Sequence, residues 1–341
     1  MTSFSRAADR VLDASLLGYT RLGFSVRERE WAPLPRMDGQ VVVVTGASSG
    51  IGRAAAARFA SLGAAVIDVV RDVSRARSDA ADVRTCDVSS PADVRRFAAD
   101  LPRVDVLVNN AGALPASRSE TAEGFEVAFA TNVLGPFLLT TLVRPSRVIT
   151  VTSGGMYTAR LDAYDLQTRS RPYRGAEVYA RTKRAEVVLT SIWGSRGVAA
   201  HAMHPGWVDT PGLASSLPGF HRALRPLLRT PAQGADTIVW LGSADVPPGR
   251  LWHDRAERPA YRLPWTRETV ADRERLWAEL EREVRGDREH GEPPTDRQSA
   301  PDPRRDPAPG VPGGQREHEV PAGGGEADAD GERGGGSGPV E

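Results

Sequence analysis

The stretch VVVVTGASSGIG at residues 41–52 decides the fold. Four valines in a row suit a strand buried on both faces of a parallel sheet, where a continuous β-branched run replaces alternation. Gly46, Gly50 and Gly52 follow at once, and glycines there allow a tight turn and close approach of the backbone to a pyrophosphate. The next residues, RAAAARFA, offer a helix whose first amides and dipole attract that anion. The spacing is G-x-x-x-G-x-G. A lone glycine loop says little; between a strand and a helix it says much. The expectation is a doubly wound parallel α/β sheet of Rossmann type.

Working outward, a second strand is expected over Ala65 to Val70. The residue at its end selects the cofactor, because an acid there holds a ribose 2′-hydroxyl and a base accepts a 2′-phosphate. The end reads Val70-Arg71, and Arg71 with Arg53 favours NADP over NAD. Asp68 argues for NAD, but it lies two residues early. A third strand closes at Cys86-Asp87-Val88, and Val104 to Val108 forms another that runs into Asn109-Asn110-Ala111-Gly112. Carboxyl ends of strands face the ligand in such folds, which puts Asp87, Asn109 and Gly112 near an adenine or ribose. Taken singly, the Asn pair could equally be a turn and Asp87 a helix cap.

Lys183 is the only lysine in a chain with 44 basic residues. Arginine serves on a solvated face or in a salt bridge, but not where a compact ammonium must reach into a site. Lys183 follows Tyr179 by four positions, so on a helix the two side chains share a face. A cation beside a phenol lowers its pKa from about 10 toward neutrality, which makes the pair a proton donor and acceptor. The competing reading is a surface Tyr–Lys pair on an amphipathic helix.

Composition bounds the rest. With 341 residues and 40% hydrophobic content, the chain can bury a large core. Residues 287–341 hold 13 acidic and 6 basic residues, a net of −7, which leaves +7 on residues 1–286. That mild excess is no nucleic-acid footprint. One cysteine, Cys86, excludes an internal disulfide framework. No apolar run is long enough to span a membrane, and no signal peptide opens the chain, so a cytoplasmic location is expected. Residues 287–341 carry 12 Gly and 9 Pro and no Leu, Ile, Phe, Trp, Tyr or Met, the composition of a disordered tail. The front, residues 1–36, shows a weak amphipathic pattern through Val11, Leu12, Leu16, Tyr19, Leu22 and Phe24. It is expected to dock on the body, with membrane-surface contact as the alternative.

These motifs in this order resemble the short-chain dehydrogenase/reductase family: TGASSGIG at 45–52, Asp87-Val88, NNAG at 109–112, Asn132 in TNVLG, Ser153 after an apolar strand, Tyr179-x-x-x-Lys183 and Pro205-Gly206. The likeness runs from about Gly39 to Trp265. YARTKRAEVVLTSIW, MHPGWVDTPGL and GRLWHDRAERPAYRLPW look like the subgroup called dehydrogenase/reductase SDR family member 12, and GYTRLGF at the front looks like that subgroup's N-terminal extension.

The resemblance implies NAD(P)-dependent oxidoreduction of a carbonyl or alcohol. It makes Tyr179 the general acid or base, Lys183 the partner of the nicotinamide ribose, Ser153 a donor to the substrate oxygen, and Asn132 the holder of a water that links Lys183 to solvent. Cofactor contacts are implied for Thr45, Gly46, Ser48, Ser49, Gly50, Ile51 and Gly52 in the loop. Arg71, Asp87, Val88, Asn109, Ala111 and Gly112 would follow on the adenosine side, with Pro205, Gly206 and Thr210 around the nicotinamide. No metal is expected. His201 and His204 lack partners at ligand spacing and are taken as structural.

The implied domains are an extension over 1–36, a cofactor-binding body over 37–265 and a helix over 266–286 with Leu276, Trp277 and Leu280 as its stripe, ahead of the tail. Tyr179 follows Ser153 by 26 positions, longer than in compact relatives, and this insert with Tyr157, Tyr164 and Tyr173 is expected to cover an apolar substrate. Two segments are short: 15 residues separate Arg71 from Asp87, and Pro145 interrupts the middle helix that usually builds the dimer. The shortening puts the usual homo-oligomer in doubt. The rival from another class is a cofactor-binding scaffold without chemistry. Epimerase or dehydratase chemistry shares Tyr-x-x-x-Lys, but lacks support from the glycine pattern and from a large C-terminal domain.

Overall fold

A computed structural model describes residues 3–76 and 79–286; the expected disordered tail over 287–341 lies outside the described residues. In chain order the elements are α1 (Ser3–Ala14), α2 (Arg21–Arg27), β1 (Val41–Thr45), α3 (Gly50–Ser61), β2 (Ala65–Val70), β3 (Asp82–Thr85), α4 (Pro91–Ala99) and β4 (Val106–Asn109). There follow α5 (Val127–Phe129), a π-helical turn (Ala130–Leu134), α6 (Gly135–Val143), β5 (Arg147–Val151), α7 (Gly175–Ser195), β6 (Ala200–Met203), α8 (Pro211–Ser216) and α9 (Pro218–Leu224). The last are α10 (Pro231–Ser243), β7 (Arg250–His253), β8 (Ala256–Arg258) and α11 (Val270–Arg285).

The strands form one sheet in the order β3-β2-β1-β4-β5-β6-β7-β8, parallel except for β8 against β7. The valines of β1 show why: Val42, Val43 and Val44 are all 0% exposed. Side chains alternate along a strand, so Val42 and Val44 pack with Phe59, Ile238 and Leu241 beneath α3 and α10, while Val43 packs with Ile67, Leu107 and Leu138 beneath α4 and α6. The expected doubly wound fold is the observed one.

β2 spans the expected residues. The short link after it contains a single turn of 3-10 helix, Val73–Arg75, capped by Asp72 through the Ser74 amide. α6 stops ahead of Pro145, with Arg144 left-handed at φ 50°. The C-terminal helix buries Leu276 and Leu280 fully, and Trp277 meets Phe137 edge-on at 5.0 Å. Among the described residues no helix is long and apolar enough to cross a membrane.

The N-terminal extension docks on the body through only part of its expected stripe. Val11, Leu16 and Leu22 are 69%, 68% and 52% exposed, while Phe24 is buried and the Tyr19 ring stacks on His204, Trp207 and His253. Charge holds the segment as well. Arg229, 1% exposed, donates to both oxygens of Asp254 and to the carbonyls of Gly18, Tyr19 and Thr20. Arg27 donates to the same Asp254 and to Asp9, and Asp9 also receives Arg258. Gly18 and Gly23 make this possible, since a Cβ on either would sit 2.3 or 2.5 Å from the carbonyl oxygen of Leu12 or Leu17.

Burial alone would raise the Asp254 carboxyl, but His253, Arg229 and Arg27 outweigh it and hold the group well below the usual carboxylate range. A carboxyl depressed in the folded state adds stability above its unfolded pKa, and that contribution is lost as pH falls through the folded value. Asp254→Ala leaves two guanidiniums without their shared partner and should cost about 3–5 kcal/mol in urea unfolding at neutral pH. The gap to wild type should narrow only below about pH 4. Equal stability of the two proteins would contradict the role given to Asp254.

Candidate active site

The glycine loop is shaped by contacts that leave no room for side chains. Gly46 and Gly50 have φ 68° and 54°, values that cost a glycine little. A Cβ on Gly52 would lie 2.4 Å from the Gly46 oxygen and 2.3 Å from Asn110 Nδ2. Ser49 stands at the N-cap of α3 without a side-chain capping bond, so the helix presents its first amides beyond the loop. That cradle fits a dinucleotide pyrophosphate. Ser48, Ser49, Gly50 and Ile51 lie along it, half-buried.

Thr45 does something else. Its hydroxyl donates to Val108 O at 3.1 Å and accepts from the Asn110 and Ala111 amides, bracing β1 against the turn after β4. Asn109 is buried and donates to Thr140, whereas its neighbour Asn110 lines the cleft and donates to Thr45 O at 2.8 Å. Asp87 accepts from the amide and hydroxyl of Ser89, and Val88 presses its carbonyl against Gly135. Arg71 and Arg53 are exposed beside the loop, while Asp68 is 0% exposed inside β2.

Beyond the carboxyl ends of β1, β4 and β5 opens a cleft of about 540 Å³. Ile51, Gly112, Ser153, Tyr179 and Lys183 line it together, with Pro205, Gly206 and Thr210 on the far wall. Ser153 ends the chain's run out of β5, and its Oγ accepts the Gly155 amide at 3.3 Å. Tyr179 and Lys183 share one face of α7, with Nζ 5.5 Å from the ring centroid. Lys183 is 3% exposed; it donates to Val151 O at 3.0 Å and to Glu186 Oε1 at 2.7 Å. Asn132 sits in the π-helical turn, fully buried. It accepts from the Ala113 amide and donates to Ala113 O and to the Thr182 hydroxyl. Thr210 caps α8 through the Leu213 amide, and its methyl rests near Gly50.

The insert after Ser153 departs from expectation. Tyr157 is buried beside His204, Tyr164 is 70% exposed, and Tyr173 donates to Glu126 at 2.9 Å; none of the three lines the cleft. Tyr157 packs edge-on against His204, the Tyr164 ring lies under the Arg275 guanidinium at 4.2 Å, and Tyr173 is held by Glu126. The cleft's apolar wall comes instead from Trp207, Leu213, Leu217 and Phe220. Arg184, 0% exposed, holds the insert by donating to the Met156, Ala159 and Ala260 carbonyls. Arg184 and Glu186 are given no role by the sequence, while Asn110 and Trp207 stand only within the NNAG and HPGW motifs.

His201 and His204 are buried in the core, and burial pushes both down, His201 to about 4. His204 stacks on His253 at 4.0 Å and on Tyr19 at 5.1 Å. Among the described residues no group of three or more His, Cys, Asp or Glu could hold a metal ion.

Comparison with known proteins adds a family to this geometry. The family model described as short chain dehydrogenase matches residues 40–218. Dehydrogenase/reductase SDR family member 12 of Bos taurus is 39% identical over 295 residues, 77% of this chain and 93% of that protein. Human retinol dehydrogenase 12 is 34% identical over 238 residues, covering 62% and 75%. A crystal structure of a putative uncharacterized protein from Mycobacterium paratuberculosis superimposes with a TM-score of 0.62 at 30% identity, over 74% of this chain and 97% of that one. The chain therefore belongs to the short-chain dehydrogenase/reductase family of NAD(P)-dependent oxidoreductases, and within it resembles the member 12 subgroup.

Proposed function

We propose that residues 37–265 carry out NADP(H)-dependent interconversion of a carbonyl and an alcohol, with Tyr179 as the general acid and base. The observation that carries this is convergence. The chain's one lysine, Tyr179 and Ser153 line a single cleft that continues from the glycine loop. When bound, the nicotinamide dinucleotide supplies or accepts the hydride.

In reduction, the Tyr179 hydroxyl passes its proton to the carbonyl oxygen. The Ser153 hydroxyl donates to the same oxygen, where charge develops. The Lys183 ammonium stabilises the phenolate left behind and keeps an N–H for the ribose hydroxyls. Asn132 holds Ala113 and Thr182 in place around Lys183, and a water between it and the lysine would return the proton from solvent. Backbone amides at Ser49 to Gly52 hold the pyrophosphate. Arg71 and Arg53 take the 2′-phosphate, and Asp68, buried inside β2, presents no exposed carboxylate beside it. Trp207, Leu213, Leu217 and Phe220 select a bulky apolar carbonyl, in keeping with relatives named for retinol and, in Streptomyces, for a daunorubicin ketone.

Turnover of a panel of apolar ketones and aldehydes with NADPH should fall by about 10²–10⁴ in Tyr179→Phe, with NADPH affinity unchanged. Tight NADPH binding with no turnover by either protein would favour a scaffold. In a separate test, Arg71→Asp should shift preference toward NADH by at least about tenfold, one lost charge-assisted contact. Unchanged relative affinities would sink the NADP assignment.

A further inference from the structure

Lys183 is the chain's only lysine, and its side chain is 3% exposed. Withdrawn from water, an uncompensated ammonium gives up its proton several pH units early. Compensation stands one turn further along α7, where Glu186 Oε1 accepts from Nζ at 2.7 Å. Glu186 is also 3% exposed, and its other oxygen, Oε2, is buried with no hydrogen-bond partner. The Thr152 hydroxyl borders the carboxylate, but its one hydrogen goes to the Lys183 carbonyl at 2.8 Å.

Packing does not account for such a side chain. Val187, Val188 and Leu189 follow it, buried and apolar, and show what the helix–sheet contact accepts at low cost. A buried carboxylate with one orphaned oxygen costs folding energy. The charged groups facing the pair are few. Lys183 and, from the residue after β5, the uncharged Thr152 hydroxyl act on Glu186; Glu186 and Tyr179 act on Lys183. The 3-10 turn Gly154–Thr158, β6, β7, α5, the π-helical turn and α11 also pack on α7, and among the described residues they bring no charged group to the pair. Burial works to lower the Lys183 pKa; Glu186 first and Tyr179 after it oppose this, and the net shift is upward. Burial raises the Glu186 carboxyl to about 7, against the pull of Lys183.

We propose that Glu186 is a positioning residue for the reaction, a buried counter-ion that keeps Lys183 protonated and so keeps a positive charge beside Tyr179. This rests on Lys183 belonging to the reacting site. Without the carboxylate, the amine becomes neutral at a lower pH. Tyr179 then loses the charge that stabilises its phenolate, and turnover fails earlier on the alkaline side.

The sole lysine makes this directly observable, because isotopically labelled lysine gives one side-chain nitrogen resonance. In the wild-type protein that resonance should remain an ammonium up to about pH 9. In Glu186→Gln it should convert to the amine about two pH units earlier, and the alkaline limb of turnover should move with it. Glu186→Asp, which keeps a carboxylate, should restore most of the difference. Glu186→Met should behave as Gln does and avoids burying an amide should the Gln protein fail to fold. Identical titration in wild type and in the variants lacking a carboxylate overturns the assignment. So does a wild-type lysine that turns neutral well below that pH, a result that needs no variant. The displaced resonance without turnover of any carbonyl or alcohol would leave the counter-ion standing and remove the reductase reading. Tyr179-dependent turnover with a lysine indifferent to Glu186 would do the reverse.

Discussion

The buried pair of Arg229 and Asp254, 1% and 4% exposed, is the constraint on which the rest of the site depends. Arg229 donates to Gly18, Tyr19 and Thr20 in the extension, to Pro205 in the cleft wall and to Asp254 after β7. A Cβ on Gly206 would lie 2.6 Å from this guanidinium and 2.7 Å from Tyr19 O. The Trp207 amide donates to the same Tyr19 carbonyl at 2.8 Å. The extension thus backs the Pro205–Trp207 segment of the cleft wall. Breaking such a pair by removing one partner costs far more than the pair contributes against an apolar replacement, so it acts as a fastening more than as a store of stability.

Arginine and lysine divide the work by geometry. Arg184 and Arg229 spread planar forks over three or more carbonyl and carboxylate acceptors, and both are fully buried. An ammonium could not satisfy acceptors so far apart. Lys183, between Thr182 and Arg184 on α7, makes two short contacts within a confined space. Neighbouring positions on one helix therefore serve two ends: Tyr179 and Lys183 face the cleft, and Arg184 ties down the segment that follows Ser153.

Much of the fold was legible because its determinants are local. The valine run, the glycine spacing and Tyr179-x-x-x-Lys183 each act within a dozen residues, and the fold and the family follow from them. Asn109 and Asn110 show the limit: which one faces the cleft depends on where β4 stops pairing, and alternation cannot place that end to one residue. The insert's tyrosines were misplaced because aromatic content says nothing of the partner each side chain finds. Arg229 and Gly18 are 211 positions apart, a separation at which no spacing argument operates. Glu186 in sequence looks like an ordinary charged helix residue, and only its burial distinguishes it.

Hydride transfer at the cleft that Tyr179 and Lys183 share underlies the proposed function. The decisive experiment is reducing an apolar ketone with NADPH that carries deuterium at the transferable nicotinamide position, then weighing the alcohol by mass spectrometry. One deuterium on the carbinol carbon is expected, and no labelled alcohol from Tyr179→Phe. Alcohol formed without the label, or label transferred equally well by the Phe variant, would contradict it.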